Sequence, residues 1–196
     1  MRFIESIRYK DGEYHNLILH QERMDRTFER FMPEIKAHDL SKILPKLELR
    51  GTYKVRVVYY SDTEDANYDL EYAEYIPRKI ETLKLVETNA FDYSFKFEDR
   101  KDIENLIDDQ ADDMVIVING NITDGSYFNL AFWNGTEWHT PDTPLLRGVR
   151  RDQLLDEGRI QEVRIMASDL KKYQKVSLIN AMLDLGELEV PIENVS

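Results

Sequence analysis

A lysine held among aromatic residues is the first side chain in this sequence with the makings of a nucleophile. Lys96 lies in the run Tyr93-Ser94-Phe95-Lys96-Phe97, where partial desolvation would depress the amine pKa and favour the neutral, reactive form. Taken alone, such a residue is more often an exposed lysine in a polar loop. Anion-binding chemistry is concentrated elsewhere: Arg147, Arg150 and Arg151 place three arginines within five positions of a chain whose formal charge is -12, and so local a cluster in an acidic protein points to an anion site. Arg23, near the start of an amphipathic segment, reads most simply as a helix residue paired with Glu22 or Asp25. Arg56 stands in an alternating, strand-like run in which arginine is seldom buried unless it meets an anion. Alternation sets it opposite Tyr53, Val55 and Val57, so a solvent-facing position stays open. Asp124-Gly125 reads by itself as a turn. The chain has no cysteine, which removes disulfides and thiolate chemistry, and its four histidines show no paired spacing suited to a metal.

The elements that must position these residues follow from periodicity. Phe3 to Tyr9 alternates as a strand, Asp11-Gly12 is a turn, and Tyr14 to Leu19 is expected to continue extended as the second arm of a hairpin. Met24, Thr27, Phe28 and Phe31 then fall at helical spacing, which predicts a helix over 21–31 ended by Pro33. A second hairpin is expected from Tyr53 to Tyr59 and Tyr68 to Tyr75, joined by the polar stretch 61–67, and a further strand over 79–86. Beyond that lie a helix over 100–110, strands at 114–118 and 130–133 separated by Asn-Gly turns, a helix starting near Asp152, a short helix over 167–171 capped by Ser168 or a neighbouring residue, and a final buried strand over 176–181. This is an α+β chain. Two lobes are expected: a small N-terminal lobe of mostly antiparallel sheet over 1–87 and a larger, β-rich C-terminal lobe over 88–196.

With 196 residues, 42% hydrophobic and 33% charged, the chain has the make-up of a folded globular protein able to bury a core. A pI near 4.8 argues against nucleic acid as a partner. No run approaches the length of a membrane span and the first residues lack an apolar leader, so a cytoplasmic location without membrane contact is expected.

Three separated segments, FIESIRYKDGEYHNLILHQERM, YSFKFEDR and ITDGSYFNLAFW with TPDTPLLRGVRR, resemble in order and spacing the fold-type IV enzymes that use pyridoxal 5'-phosphate (PLP), the class IV aminotransferase family. LINAML resembles that family's closing strand, so the resemblance spans nearly the whole chain, with a shortened N-terminal lobe. It implies that Lys96 carries the cofactor and acts in catalysis, with Asp124 beside the pyridine nitrogen in place of the family's usual Glu. It also implies that Asn129 belongs to the same motif, that Gly148, Val149 and Arg150 form the phosphate-binding turn, where the usual third residue is Thr, and that Arg23 binds the phosphate from the small lobe. By a looser match, Arg56 would face a substrate carboxylate. The activity implied is that of a lyase similar to aminodeoxychorismate lyase, which makes 4-aminobenzoate and pyruvate for folate synthesis. Alternatives are a branched-chain or D-amino-acid aminotransferase and a non-catalytic relative. The expected partners are a small-molecule amino substrate and a second copy of the chain in a homodimer.

Overall fold

Alternation along the first strand decides what faces the first core. In the computed structural model, which describes residues 1–61, 65–89, 91–107 and 110–196, β1 (Arg2–Lys10) buries Phe3, Glu5, Ile7 and Tyr9 almost completely. Three of these are apolar and one is a carboxylate. Asp11 and Gly12 both take positive φ, the geometry of a tight hairpin turn, and return the chain into β2 (Glu13–Tyr14). That arm is short. Asn16 adopts a left-handed conformation and α1 begins at once, running Leu17–Phe31, so the extended structure expected up to Leu19 is helix instead. An asparagine tolerates positive φ at little cost, and one residue of it turns the chain from sheet to helix.

The buried side of α1 consists of His20, Arg23, Met24, Thr27 and Phe28. Met24 and Phe28 pack with Phe3, Ile7, Tyr9, Val55, Val57 and Tyr59 in one apolar cluster. A one-turn helix, α2 (Leu40–Ile43), follows, capped by the Asp39 carboxylate accepting the Ser41 N–H. The expected second hairpin is present as β3 (Thr52–Ser61) and β4 (Ala66–Glu74). Part of its connecting stretch, 62–64, lies outside the described residues. The sheet order is β2-β1-β3-β4, antiparallel throughout.

The chain divides into two compact units, 1–76 with 95–99, and 77–94 with 100–196. The boundary expected at residue 87 moves back because β5 (Leu83–Thr88) pairs in parallel with β6 (Asp113–Ile118), in register from Leu83 with Asp113 to Thr88 with Ile118. The short return of 95–99 to the first unit is fixed by Phe97, which bridges Phe3 and stacks near Phe3 and Phe31.

The second unit begins its helices with α3 (Lys101–Glu104), far shorter than the helix expected over 100–110, of which 108 and 109 lie outside the described residues. β6 continues through a turn at Asn119-Gly120, both at positive φ, into β7 (Asn121–Gly125). The strands β8 (Asn129–Trp133) and β9 (Trp138–Pro141) come next, then α4 (Val149–Asp156), which starts earlier than Asp152. After β10 (Gln161–Val163) a 3-10 segment spans Ala167–Lys172, where the carboxylate of Asp169, next to Ser168, accepts the Met166 N–H. β11 (Lys175–Ile179) is buried as expected, and β12 (Glu189–Pro191) follows it. The strands form a three-stranded sheet, β5-β6-β7, and a five-stranded sheet, β10-β9-β8-β11-β12. Leu130 and Phe132 of β8 join Val115, Val117, Ile122, Val176 and Leu178 in the main core, while Ala131 on the opposite face meets Leu154 of α4 and Ile179. Among the described residues no helix is long and apolar enough to cross a membrane.

Candidate active site

In the first unit the buried carboxylate of Glu5 collects the charged side chains of α1. Arg23 donates to it through both Nε (2.9 Å to Oε1) and Nη2 (2.5 Å to Oε2), and His20 Nδ1 lies 2.6 Å from Oε2. Burial alone would raise the Glu5 pKa, but the Arg23 guanidinium and the His20 hydrogen bond more than reverse this and hold it at about 2. The carboxylate is therefore ionised, and Nδ1 of His20 carries the proton it donates. Burial pushes the His20 pKa down, the Glu5 hydrogen bond and charge oppose this, and the charges of Arg23 and Lys96 push it down further. Lys96 thus stands close enough for its charge to act on His20. The backbone of Lys96 is fixed to β1, where its carbonyl accepts the Ile4 N–H at 2.9 Å. Its side chain is half-buried.

Arg23 is buried, not exposed, and its fork onto Glu5 replaces the pairing with Glu22 or Asp25 that its helix position suggested. Arg56 does lie opposite the buried Val55 and Val57, as alternation requires. Its guanidinium meets Glu71 at 3.0 Å and Glu98 at 2.9 Å, so the structure pairs it with two of the protein's own carboxylates rather than leaving it for a substrate. Glu5 and His20 were not singled out from the sequence. The signal was present, since a glutamate at position i+2 between Phe3 and Ile7 occupies a core position of the strand, where an unpaired charge is costly.

In the second unit Asp124, Asn129 and Gly148 come together. Asn129 Nδ2 donates to Asp124 Oδ1 (2.7 Å) and to the Leu146 carbonyl (2.8 Å), and the Leu146 N–H donates to Asp124 Oδ2 (2.9 Å). These bonds tie the 142–148 connection to β7 and β8. Burial raises the Asp124 pKa to about 6 against the lowering effect of the Leu146 N–H, Asn129 and the charge of Arg151. Gly148 precedes α4 as its N-cap, and no side chain caps the helix there. A Cβ on Gly148 would stand 2.0 Å from Asn129 Oδ1. Only glycine lets the start of α4 approach β8 this closely.

The three-arginine cluster does not act as a unit. Arg150 pairs with Asp184 and donates to Gln153 (2.6 Å). Arg151 is buried, donating to the Pro141 carbonyl at 2.8 Å and to Glu162 at 2.5 Å. Arg147 is exposed, 3.7 Å from Asp152. Helical periodicity sends neighbouring side chains in different directions, which proximity in sequence concealed. What remains for an anion at this place is backbone: the first N–H groups of α4 and the positive end of its dipole.

A family model described as amino-transferase class IV matches residues 104–188. An uncharacterized protein of Haemophilus influenzae is 33% identical over 184 residues, covering 91% of this chain and 96% of that one. The chain belongs to the class IV aminotransferase family. Among solved structures, a Haemophilus somnus protein provisionally described as a 4-amino-4-deoxychorismate lyase is 33% identical, with a TM-score of 0.87 over 94% of this chain and 97% of that one. A PLP-bound hypothetical aminotransferase of Mycobacterium tuberculosis, 14% identical, shares the fold with a TM-score of 0.76 over 100% of this chain and 81% of that one.

This class IV aminotransferase chain carries two buried carboxylates with opposite pH behaviour. The folded pKa of Glu5 lies below its ordinary value, so the stability it contributes is present above pH 4.5 and is lost as pH falls toward about 2. The folded pKa of Asp124 lies above its ordinary value, so its contribution is present below pH 3.8 and is lost as pH rises through about 6. A shift of that size corresponds to about 3 kcal/mol. Asp124→Asn is therefore expected to flatten the stability of the second unit between pH 3.8 and about 6, measured by hydrogen exchange of its core strands. An unchanged slope would show that Asp124 bears no burial cost.

Proposed function

We propose that the chain is a PLP-dependent lyase acting on 4-amino-4-deoxychorismate or a close amino analogue, releasing pyruvate and an aromatic amine. Its similarity to the Haemophilus somnus protein over nearly the full length of both chains carries the choice of substrate. The cofactor assignment rests on the donor set. Asp124 is a buried carboxylate whose pKa burial raises in spite of its hydrogen bonds and the charge of Arg151, and a protonated pyridine nitrogen is the kind of cationic donor that would hold it ionised. A carboxylate has about four acceptor sites, and Asn129 and the backbone N–H groups of Leu145 and Leu146 supply the hydrogen bonds to Asp124 seen among the described residues. Aspartate is one methylene shorter than the usual glutamate, and Asn129 and Leu146 hold it in one orientation. The uncapped N–H groups at Val149 suit a phosphate, as does the guanidinium of Arg23.

When bound, PLP would serve as an electron sink for the substrate carbon that bears the amino group. The protein's own parts are simpler. Lys96 would hold the cofactor through its amine and would move a proton at Nζ as base and then as acid. Asp124 would face the pyridine nitrogen and favour its protonated form. Gly148 and Val149 would orient the phosphate through backbone N–H groups, and Arg23 would add positive charge. A homodimer is the assembly we expect.

The assay that separates the activities supplies 4-amino-4-deoxychorismate and follows pyruvate, then supplies amino acids with 2-oxoglutarate and follows glutamate. Pyruvate without glutamate is the expected result. Glutamate alone would make the protein an aminotransferase, and neither product would place it with non-catalytic relatives.

A further inference from the structure

We infer that Glu5 is a positioning residue for the cofactor phosphate, acting through Arg23 and itself held by His20; this rests on the PLP reading above. Glu5 is fully buried on the core face of β1, between Phe3 and Ile7. A carboxylate there is not needed for packing. Replacing a buried ion pair with apolar side chains of similar volume is often neutral or stabilising, so the presence of charge at this point asks for another role. The geometry supplies one. Arg23 uses its Nε and Nη2 edge for the two oxygens of Glu5, and a planar guanidinium held by two parallel bonds has its plane, and hence the direction of Nη1, fixed.

His20 completes the arrangement from the preceding turn of α1. Its Nδ1 hydrogen bond pins the same oxygen, Oε2, that receives Arg23 Nη2. Its Nε2 is buried without a hydrogen-bond partner among the described residues, so the ring is committed to Glu5 alone. The Arg23 carbonyl accepts the Thr27 hydroxyl at 2.9 Å, which holds the backbone end of the same residue. Lys96 acts electrostatically on His20, so the network adjoins the lysine proposed to carry the cofactor.

Charge and position predict opposite outcomes. If Glu5 served only as a counter-charge to Arg23, removing it would strengthen phosphate binding. If it positions Arg23, removing it weakens phosphate binding in spite of the charge gained.

The experiment compares binding of PLP with binding of pyridoxal, which lacks the phosphate, to the wild-type full chain, Glu5→Gln, Arg23→Gln and the double variant. Wild type is expected to prefer PLP. Glu5→Gln is expected to reduce that preference by about tenfold, and in the Arg23→Gln background the same change is expected to add nothing, because the two residues act as one. A preference that is unchanged or increased in Glu5→Gln overturns the inference, as does an equal weakening of both ligands, which marks a purely structural role. If wild type binds neither ligand, the PLP reading itself fails and the inference falls with it. Should Glu5→Gln not fold, the wild-type apo protein still decides the matter by NMR: a slowly exchanging Arg23 Nε–H supports the held fork, and a rapidly exchanging one overturns it.

Discussion

Lys96→Ala is expected to lower turnover by on the order of a thousandfold or more while leaving the apo protein folded. The side chain is half-buried and belongs to neither apolar core. What the fold uses at this position is backbone: the Lys96 carbonyl receives the Ile4 N–H, and the Glu98 N–H donates to Arg2. An alanine can make the same bond. Melting of the apo forms of wild type and variant should therefore coincide, with the loss confined to cofactor attachment and turnover. A variant that keeps a tenth or more of the wild-type rate would remove Lys96 from the chemistry, by general comparison with single catalytic groups.

Gly148→Ala should be the most damaging small substitution in the second unit. The added methyl would sit 2.0 Å from Asn129 Oδ1, and Asn129 cannot yield without giving up its bonds to Asp124 and Leu146. Overpacking of this kind costs about 1–3 kcal/mol, here with the orientation of a buried carboxylate lost as well. Two readouts are expected to move together: a melting point lower by several degrees, and PLP affinity reduced through both the start of α4 and Asp124. Gly158→Ala is the contrast: a Cβ there meets nothing within 4 Å, but its φ of +65° strains an alanine, so it is expected to lower the melting point while leaving PLP affinity unchanged. If Gly148→Ala melts and binds as wild type does, the close approach of α4 to β8 is not what the site depends on.

Much of the fold was legible because its signals are local. The two hairpins of the first unit, the buried run of β6 and the helix containing Met24 and Phe28 follow from periodicity and from Asn, Asp and Gly at turns. A strand over 79–86 was expected as well; what was not legible is the pairing of elements distant in sequence. β5 belongs with β6 across the intervening 89–112, and parallel pairing leaves no hairpin turn to announce it. The return of 95–99 to β1 rests on the bridge between Phe3 and Phe97 and on the backbone bonds of Ile4 with Lys96 and of Glu98 with Arg2.

At the candidate site, family spacing proposes residues, whereas their partners in the fold were not legible. Lys96, Asp124 and Gly148 could be named from the sequence, but not the Asn129 and Leu146 bonds that orient Asp124. The arginine cluster misled because three cations close in sequence leave one helix start in three directions, two of them toward Asp184 and Glu162. The carboxylate partners of Arg56, Glu71 and Glu98, lie 15 and 42 positions away and were not legible either. Glu5 and His20 were overlooked because a motif draws the eye to the arginine and not to what holds it.

The central claim is that Lys96 carries PLP. The most direct measurement is to incubate the purified protein with PLP, record its visible absorbance, reduce with borohydride and map the modified peptide by mass spectrometry. The expected result is a yellow protein whose visible band disappears on reduction, with a single pyridoxyl group recovered on Lys96. A colourless protein after incubation, or a label scattered over surface lysines with Lys96 unmodified, would contradict it.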